Sequence, residues 1–185
     1  MKRMACGVGL VVFLLALLLC VTVACQDKAA MTEMEKFRAQ AKLGEQNKEL
    51  ARNLFSAIDA NDFDKCRSLM ASDFKLFHPS LPAPVGADEV FQIIKSHYSA
   101  FPDWRHKIEL VIAEGDLVSV KLLQQGTQTG VFEGIQPTNI KVTMPAQVIL
   151  VISNGKAKEF WAVEDYLSFY QSLGLELKPI LEKKK

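Results

Sequence analysis

Several signatures are missing from this sequence, and each absence excludes a class of function. There is no basic excess: 22 Lys and Arg stand against 21 Asp and Glu, a formal net charge of +1. Lys2 and Arg3 precede any acid, the first of which is Asp27; without them the balance is 20 against 21, or −1. That leaves no electrostatic footprint for nucleic acid. No phosphate-binding glycine loop and no dinucleotide glycine pattern occurs. No group of His, Cys, Asp and Glu has metal-ligand spacing, and no Ser/His/acid set is suggested, so neither a metal nor a cofactor is expected. Cysteine is scarce outside the N-terminal leader. Cys6, Cys20 and Cys25 lie in or at the end of that leader, and only Cys66 falls in the part that should fold. With Cys25 lipidated no intramolecular disulfide could form, and Cys66, on an apolar helical face, is expected to act as a small buried hydrophobe.

What is present begins with the leader. Lys2-Arg3 forms a positive start, Val8 to Val23 is almost unbroken apolar sequence, and Ala24 is a small residue at its end. This is the pattern of an export signal over residues 1–24. Val21-Thr22-Val23-Ala24-Cys25 also resembles a bacterial lipobox, which would make Cys25 the lipidated N-terminus of a membrane-associated lipoprotein. A plain signal peptide of a secreted protein and an uncleaved anchor are the alternatives, since a membrane span needs about 20 apolar residues. Residues 25–44 form a polar, helix-prone spacer, residues 45–174 the domain, and residues 175–185 a Lys-ended tail.

Within the domain helices come first. Leu50, Leu54 and Ile58 recur every fourth residue, a second helix follows Asn61 as its cap, and Val90, Phe91, Ile94 and Tyr98 mark a third. Phe74, Leu76 and His78 alternate in a short strand before a loop holding Pro79, Pro82 and Pro84. From Trp104 the period is two, and four strands are predicted, with a hairpin turn at Asn154-Gly155. Ile108, Leu110 and Ile112 should share one face, and Ala157, Glu159, Trp161, Val163 and Asp165 another. Pro145 should mark a bulge or an edge. The fold class is therefore α+β, a curved antiparallel sheet wrapped around N-terminal helices, with an apolar pocket inside.

The candidate functional residues are polar groups on inner strand faces. Gln124 and Gln128 share the face of Val118, Val120 and Leu122, while Glu159 and Asp165 share that of Trp161 and Val163. For Gln124 and Glu159 a wet strand end is the competing reading. A carboxylate beside an indole in an apolar cavity would have its pKa raised toward useful acid/base values, which points to Asp165. A nearby carboxamide, Gln128, would polarise a carbonyl or stabilise an enolate. His78, Phe91, Tyr98, Trp104, Met144 and Trp161 are expected to line the pocket with Gln124 and Glu159. His97 and His106 look exposed.

Together, His78 before the Pro-rich loop and Gly86, then Phe101-Pro102-Asp103, Gly115-Asp116, Gly126-Thr127-Gln128-Thr129-Gly130, Pro137-Thr138, Gly155-Lys156, Trp161, Asp165 and Leu173-Gly174, resemble the SnoaL-like polyketide cyclases. The resemblance spans about Glu45 to Gly174. It implies the cone-shaped α+β fold of ketosteroid isomerase and nuclear transport factor two, often a homodimer. It also implies cofactor-free closure of a polyketide ring by a pocket acid/base carboxylate, or cyclase- or isomerase-type chemistry on a polyketide- or steroid-like carbonyl compound. Such folds equally serve as non-catalytic ligand-binding or protein-interaction modules. Family members commonly read Gly-Thr-His-Thr-Gly; here Gln128 replaces the His, and a glutamine cannot titrate.

Overall fold

A computed structural model describes the backbone from residue 4 to residue 176 and the side chains from residue 30 to residue 176. The leader's side chains, with the expected lipidation site Cys25, lie outside the described residues. The chain divides into two compact units, Met1–Leu43 and Gly44–Lys185. Helix α1 (Met4–Asp59) begins in the first and ends in the second. In the first unit Met31, Met34 and Phe37 are all exposed. Among the described residues no helix is long and apolar enough to cross a membrane.

In the second unit the last turns of α1 bury Leu50, Ala51, Leu54, Phe55 and Ile58, the predicted stripe. Asn47 joins that stripe, and its amide donates to the Gly115 carbonyl at 2.9 Å, pinning the helix to the turn at Gly115-Asp116. Asn61, at φ +54°, makes the left-handed turn out of α1, and Asp62 instead caps α2 (Phe63–Leu69) through the Lys65 N–H. Strand β1 (Met70–Phe77) and helix α3 (Ala87–Ala100) follow. The meander is β2 (Arg105–Glu114), β3 (Leu117–Thr127), β4 (Lys141–Ser153) and β5 (Lys156–Glu164), and α4 (Tyr166–Ser172) closes the domain. Asn154 and Gly155 both have positive φ, 51° and 69°, as the tight β4–β5 hairpin requires.

The five strands form one curved open sheet in the order β1-β5-β4-β3-β2. Four are antiparallel as expected. β1 instead pairs with β5 in parallel, because no hairpin joins them and the chain passes through α3 and the whole meander in between. The main core lies between the helices and the inner sheet face, where Leu54, Val118, Val120 and Leu150 are fully buried. Each such side chain contributes about 1.5–3 kcal/mol. A second, aromatic cluster around Phe101, Trp104, Met144 and Phe169 fills the end near α4. Cys66 is buried in the main core; burial and then the charge of Asp62 push its thiol up to about 11, so it is inert.

Two β-bulges decide which side chains face inward. Ile108 pairs with Leu122 and Leu110 with Lys121, so Glu109 is the extra residue of β2. The phase then shifts: Val111 and Ala113 join the core, and Leu110 and Ile112 face out. In β5, Ala157 pairs with Ile152 and Glu159 with Val151, so Lys158 is extra. Past it Phe160, Ala162 and Glu164 turn inward while Glu159, Trp161 and Val163 turn outward, the opposite of the sequence reading. Pro145 lies at neither a bulge nor an edge strand. It sits in central strand β4, where β5 has already ended and its carbonyl accepts the Asp165 N–H.

Candidate functional site

A cavity of about 190 Å³ opens between the inner face of the sheet, α3 and the end of α1. His78, Tyr98, Trp104, Gln124 and Met144 line it, as the sequence suggested. The other expected residues lie elsewhere. Phe91 is buried in the main core, its ring 5.1 Å from that of Phe63. Glu159 and Trp161 are on the outer face, where the indole N–H donates to the Glu159 carboxylate and the ring stacks on Phe77. Asp165 is exposed and caps α4 by accepting the Ser168 N–H at 3.1 Å. The Ser168 hydroxyl and N–H hold its carboxyl below the ordinary value, so it has neither the burial nor the raised pKa expected of it.

Gln128 is also a correction. It is fully buried, but in a clasp beside the cavity. Its amide nitrogen donates to the carbonyls of Gly130, Ile135 and Gln136, and its oxygen accepts the Thr138 hydroxyl at 2.7 Å. Both ends of the carboxamide are occupied by the protein. The rest of the Gly-Thr-Gln-Thr-Gly run is structural too. A Cβ on Gly126 would lie 2.6 Å from the Trp104 ring, and one on Gly130 would strike the Ser99 carbonyl. Thr127 binds Asp103 through its N–H and hydroxyl, and the N–H groups of Thr129 and Gly130 both donate to the Ala100 carbonyl. The motif ties the end of β3 to the end of α3.

Around the cavity the polar groups form two sets. The first centres on Glu164, turned inward by the β5 bulge. His78 Nε2 lies 2.6 Å from one of its oxygens and the Gln124 amide donates to the other at 3.1 Å. The Gln124 oxygen accepts the Trp104 indole N–H at 3.2 Å. The Ser80 N–H donates to His78 Nδ1, which leaves Nε2 to carry the proton that faces Glu164. Burial pushes the Glu164 carboxyl up, but the hydrogen bonds from His78 and Gln124 and, once those rings are protonated, the charges of His78 and His106 outweigh it. The group is held below the ordinary carboxylate range.

The second set is at the end of α1. His106 Nδ1 lies 2.6 Å from the Asp59 carboxylate, which also accepts the His106 backbone N–H at 3.1 Å and the Tyr98 hydroxyl at 3.3 Å. Burial and the charge of Asp59 raise the Tyr98 phenol, keeping it a donor. Nδ1 therefore carries the proton given to Asp59, and Nε2, which has no protein partner, is left as an acceptor. A carboxylate that fixes an imidazole in this tautomer is the arrangement that makes histidine a general base. Neither His97 nor His106 is exposed, contrary to expectation. His97 also lines the cavity, and its Nε2 is buried without a hydrogen-bond partner. Among the described residues no group of three or more His, Cys, Asp and Glu could hold a metal ion.

Glu164, His106, Asp59 and His97 escaped the sequence reading, though two of them left a signal. Trp104, His106 and Ile108 alternate before the β2 bulge, and His97 is seven residues after Val90 on the inner stripe of α3. Comparison with known proteins gives a family: residues 48–173 match the SnoaL-like polyketide cyclases. No curated protein matches. Among solved structures, IdmH of Streptomyces antibioticus, a proposed polyketide cyclase, is 22% identical over 70% of this chain and 99% of its own, with a TM-score of 0.66. AclR of Streptomyces galilaeus, a proposed hydroxylase, is 23% identical over 74% and 91%, also at 0.66. A SnoaL-like protein of Jannaschia sp. CCS1 is 24% identical over 72% and 95%, again at 0.66. These likenesses establish the fold; a cyclase and a hydroxylase among them leave the chemistry to the site.

Proposed function

The chain belongs to the SnoaL-like polyketide cyclase family, and on that premise we propose that its cavity holds a small apolar carbonyl compound on which His106 moves a proton. The observation that carries this reading is His106, which lines an apolar cavity, with Nδ1 held by Asp59 and Nε2 unpartnered. His106 Nε2 takes a proton from the carbon beside the carbonyl. The C–H electron pair moves toward the carbonyl oxygen, and Asp59 stabilises the imidazolium that forms. Gln124, whose second amide hydrogen has no partner, takes over the polarising role first given to Gln128. The enolate so made is the intermediate of both an isomerisation and an aldol ring closure. At about 190 Å³ the cavity is below the roughly 300–1,000 Å³ of drug-sized pockets, so a one- or two-ring compound fits and a four-ring steroid does not.

The test is α-proton exchange of 2-tetralone in deuterium oxide, followed by NMR. Wild-type protein should accelerate exchange, and His106→Gln should lose about 10²–10⁴-fold of that rate while its circular dichroism is unchanged. Asp59→Asn should lose less. No acceleration by the wild type, or an unaffected His106→Gln, overturns the assignment.

Two further expectations are carried forward as proposals. The leader exports the chain and Cys25 anchors it, so Cys25→Ala should move it from the membrane fraction to the soluble one. A second copy covers the outer sheet face, where Ile112, Ile149, Trp161 and Phe77 fall on one cross-strand row through Ser119. Trp161→Glu should then shift its elution in size-exclusion chromatography from dimer to monomer.

A further inference from the structure

We infer that the cavity selects an uncharged, hydroxyl-bearing ligand and that Glu164 receives the hydroxyl. The inference deepens the proposed function, since it rests on the reading of this cavity as a ligand site. It starts from a count of hydrogen-bonding capacity. A carboxylate offers about four lone-pair positions, and Glu164 uses one on each oxygen, for Gln124 and for His78. The remainder belong to a side chain that lines the cavity and keeps 15% exposure.

The donors around it are largely committed. The Trp104 indole N–H is taken by Gln124, one Gln124 N–H is taken by Glu164, and the His78 Nε2 proton is taken by Glu164. The other unpartnered positions are Nε2 of His106, Nε2 of His97 and the Tyr166 hydroxyl. His97 stays neutral because burial, and then the charge of His106, hold it down to about 4. The polar side of the cavity therefore keeps unfilled acceptor positions on Glu164, and its spare donors are the second Gln124 N–H and the Tyr166 hydroxyl. A ligand hydroxyl supplies what Glu164 lacks. A ligand carboxylate would face a carboxylate that its own neighbours keep ionised.

The experiment is calorimetric titration of the full chain at neutral pH with naphthalene, 2-naphthol, 2-methoxynaphthalene and 2-naphthoate. A hydrogen bond to a charged acceptor predicts that 2-naphthol binds about tenfold or more tighter than its methyl ether. The naphthoate should bind more weakly than naphthalene. In Glu164→Gln the preference of naphthol over its ether should shrink several-fold and the naphthoate should gain. Equal binding of 2-naphthol and 2-methoxynaphthalene by the wild type overturns the inference and leaves the cavity a ligand site. Failure of all four probes to bind overturns the proposed function itself. Because the wild-type series needs no variant, a Glu164→Gln chain that did not fold would not shield the inference.

Discussion

Gln128 and His97 are both polar, both withdrawn from water and both at the α4 end of the domain, yet their surroundings treat them oppositely. The Gln128 carboxamide shares its two amide hydrogens among three carbonyls, and its oxygen accepts the Thr138 hydroxyl. His97 Nε2 makes none, and its ring is packed against Phe101, Trp104 and Phe132 with centroids 4.8, 4.3 and 5.4 Å away. The contrast extends to the regions they belong to. In the clasp the Gln128 amide hydrogens and the N–H groups of Thr127, Thr129 and Gly130 meet acceptors of the same protein. In the cavity Gln124, Glu164 and His106 join His97 in keeping capacity that the protein does not fill. A saturated buried group maintains the fold; groups with capacity to spare, gathered on one cavity, are what a ligand would complete.

Breaking the clasp should have the largest effect on stability. Gln128→Leu takes away the donor of the Gly130 and Gln136 carbonyls, one of two donors to the Ile135 carbonyl and the acceptor of the Thr138 hydroxyl, and should cost about 1–3 kcal/mol in urea unfolding. What remains folded should bind 2-naphthol as the wild type does. Gln128→His, which restores the residue common in the family, should give no gain in proton exchange. A gain would move Gln128 from the clasp to the site.

The cavity side of the comparison is tested by pH. His97 is held at about 4 in the folded chain against an ordinary 6.5. Between those values the unfolded chain binds the extra proton, so stability rises with pH there. It is fully present above about 6.5 and falls by about 3 kcal/mol as pH drops to about 4. The depressed Glu164 carboxyl acts in the same direction at lower pH, its contribution being lost as pH falls through its folded value. His97→Leu should flatten the upper window and leave the lower one. Urea unfolding at stepped pH separates them, and an unchanged upper window in the variant would show that another group titrates.

Gly126→Ala probes a place where clasp and cavity touch. Its new Cβ would lie 2.6 Å from the Trp104 ring and 3.2 Å from the Trp104 Cα. The indole must move, at a cost of about 1–3 kcal/mol. Because Trp104 orients Gln124, 2-naphthol affinity should fall along with stability, unlike in Gln128→Leu.

How much of this the sequence discloses depends on whether each residue's phase can be read. The apolar stripes of α1 and α3, the unbroken alternation of β3 and the Asn154-Gly155 hairpin all appear where their periods put them. Helix-first, strands-after order was enough for the α+β class. The cavity was legible in part: Tyr98, Gln124 and Met144 lie on elements whose phase is uninterrupted up to that point, and His78 and Trp104 stand just outside the ends of β1 and β2. A bulge carries no such signal, since one inserted residue looks like any other. Lys158 in β5 therefore exchanged the inner and outer sets, hiding Glu164 and misplacing Glu159, Trp161 and Asp165. The bulge at Glu109 did the same to Leu110 and Ile112. The parallel pairing of β1 was illegible for another reason: it is made between strands far apart in the chain, with no turn between them to announce it.

Adjacent residues make the sharpest form of the comparison, and the smallest expected effect. Glu164 and Asp165 carry the same chemical group, but the former is inside with two protein donors and the latter outside at a helix end. Asp165→Ala removes the side chain that accepts the Ser168 N–H. It should lower the melting temperature by a few degrees, with 2-tetralone exchange and 2-naphthol binding unchanged. Asp165→Asn keeps a capping oxygen and should be close to silent in all three measurements. Position alone, set by one inserted residue upstream, would then separate a capping carboxylate from a ligand-receiving one. Loss of exchange in Asp165→Asn with a normal melting temperature would reverse that assignment, because a cap replaced by an equally good cap has no structural route to lost activity.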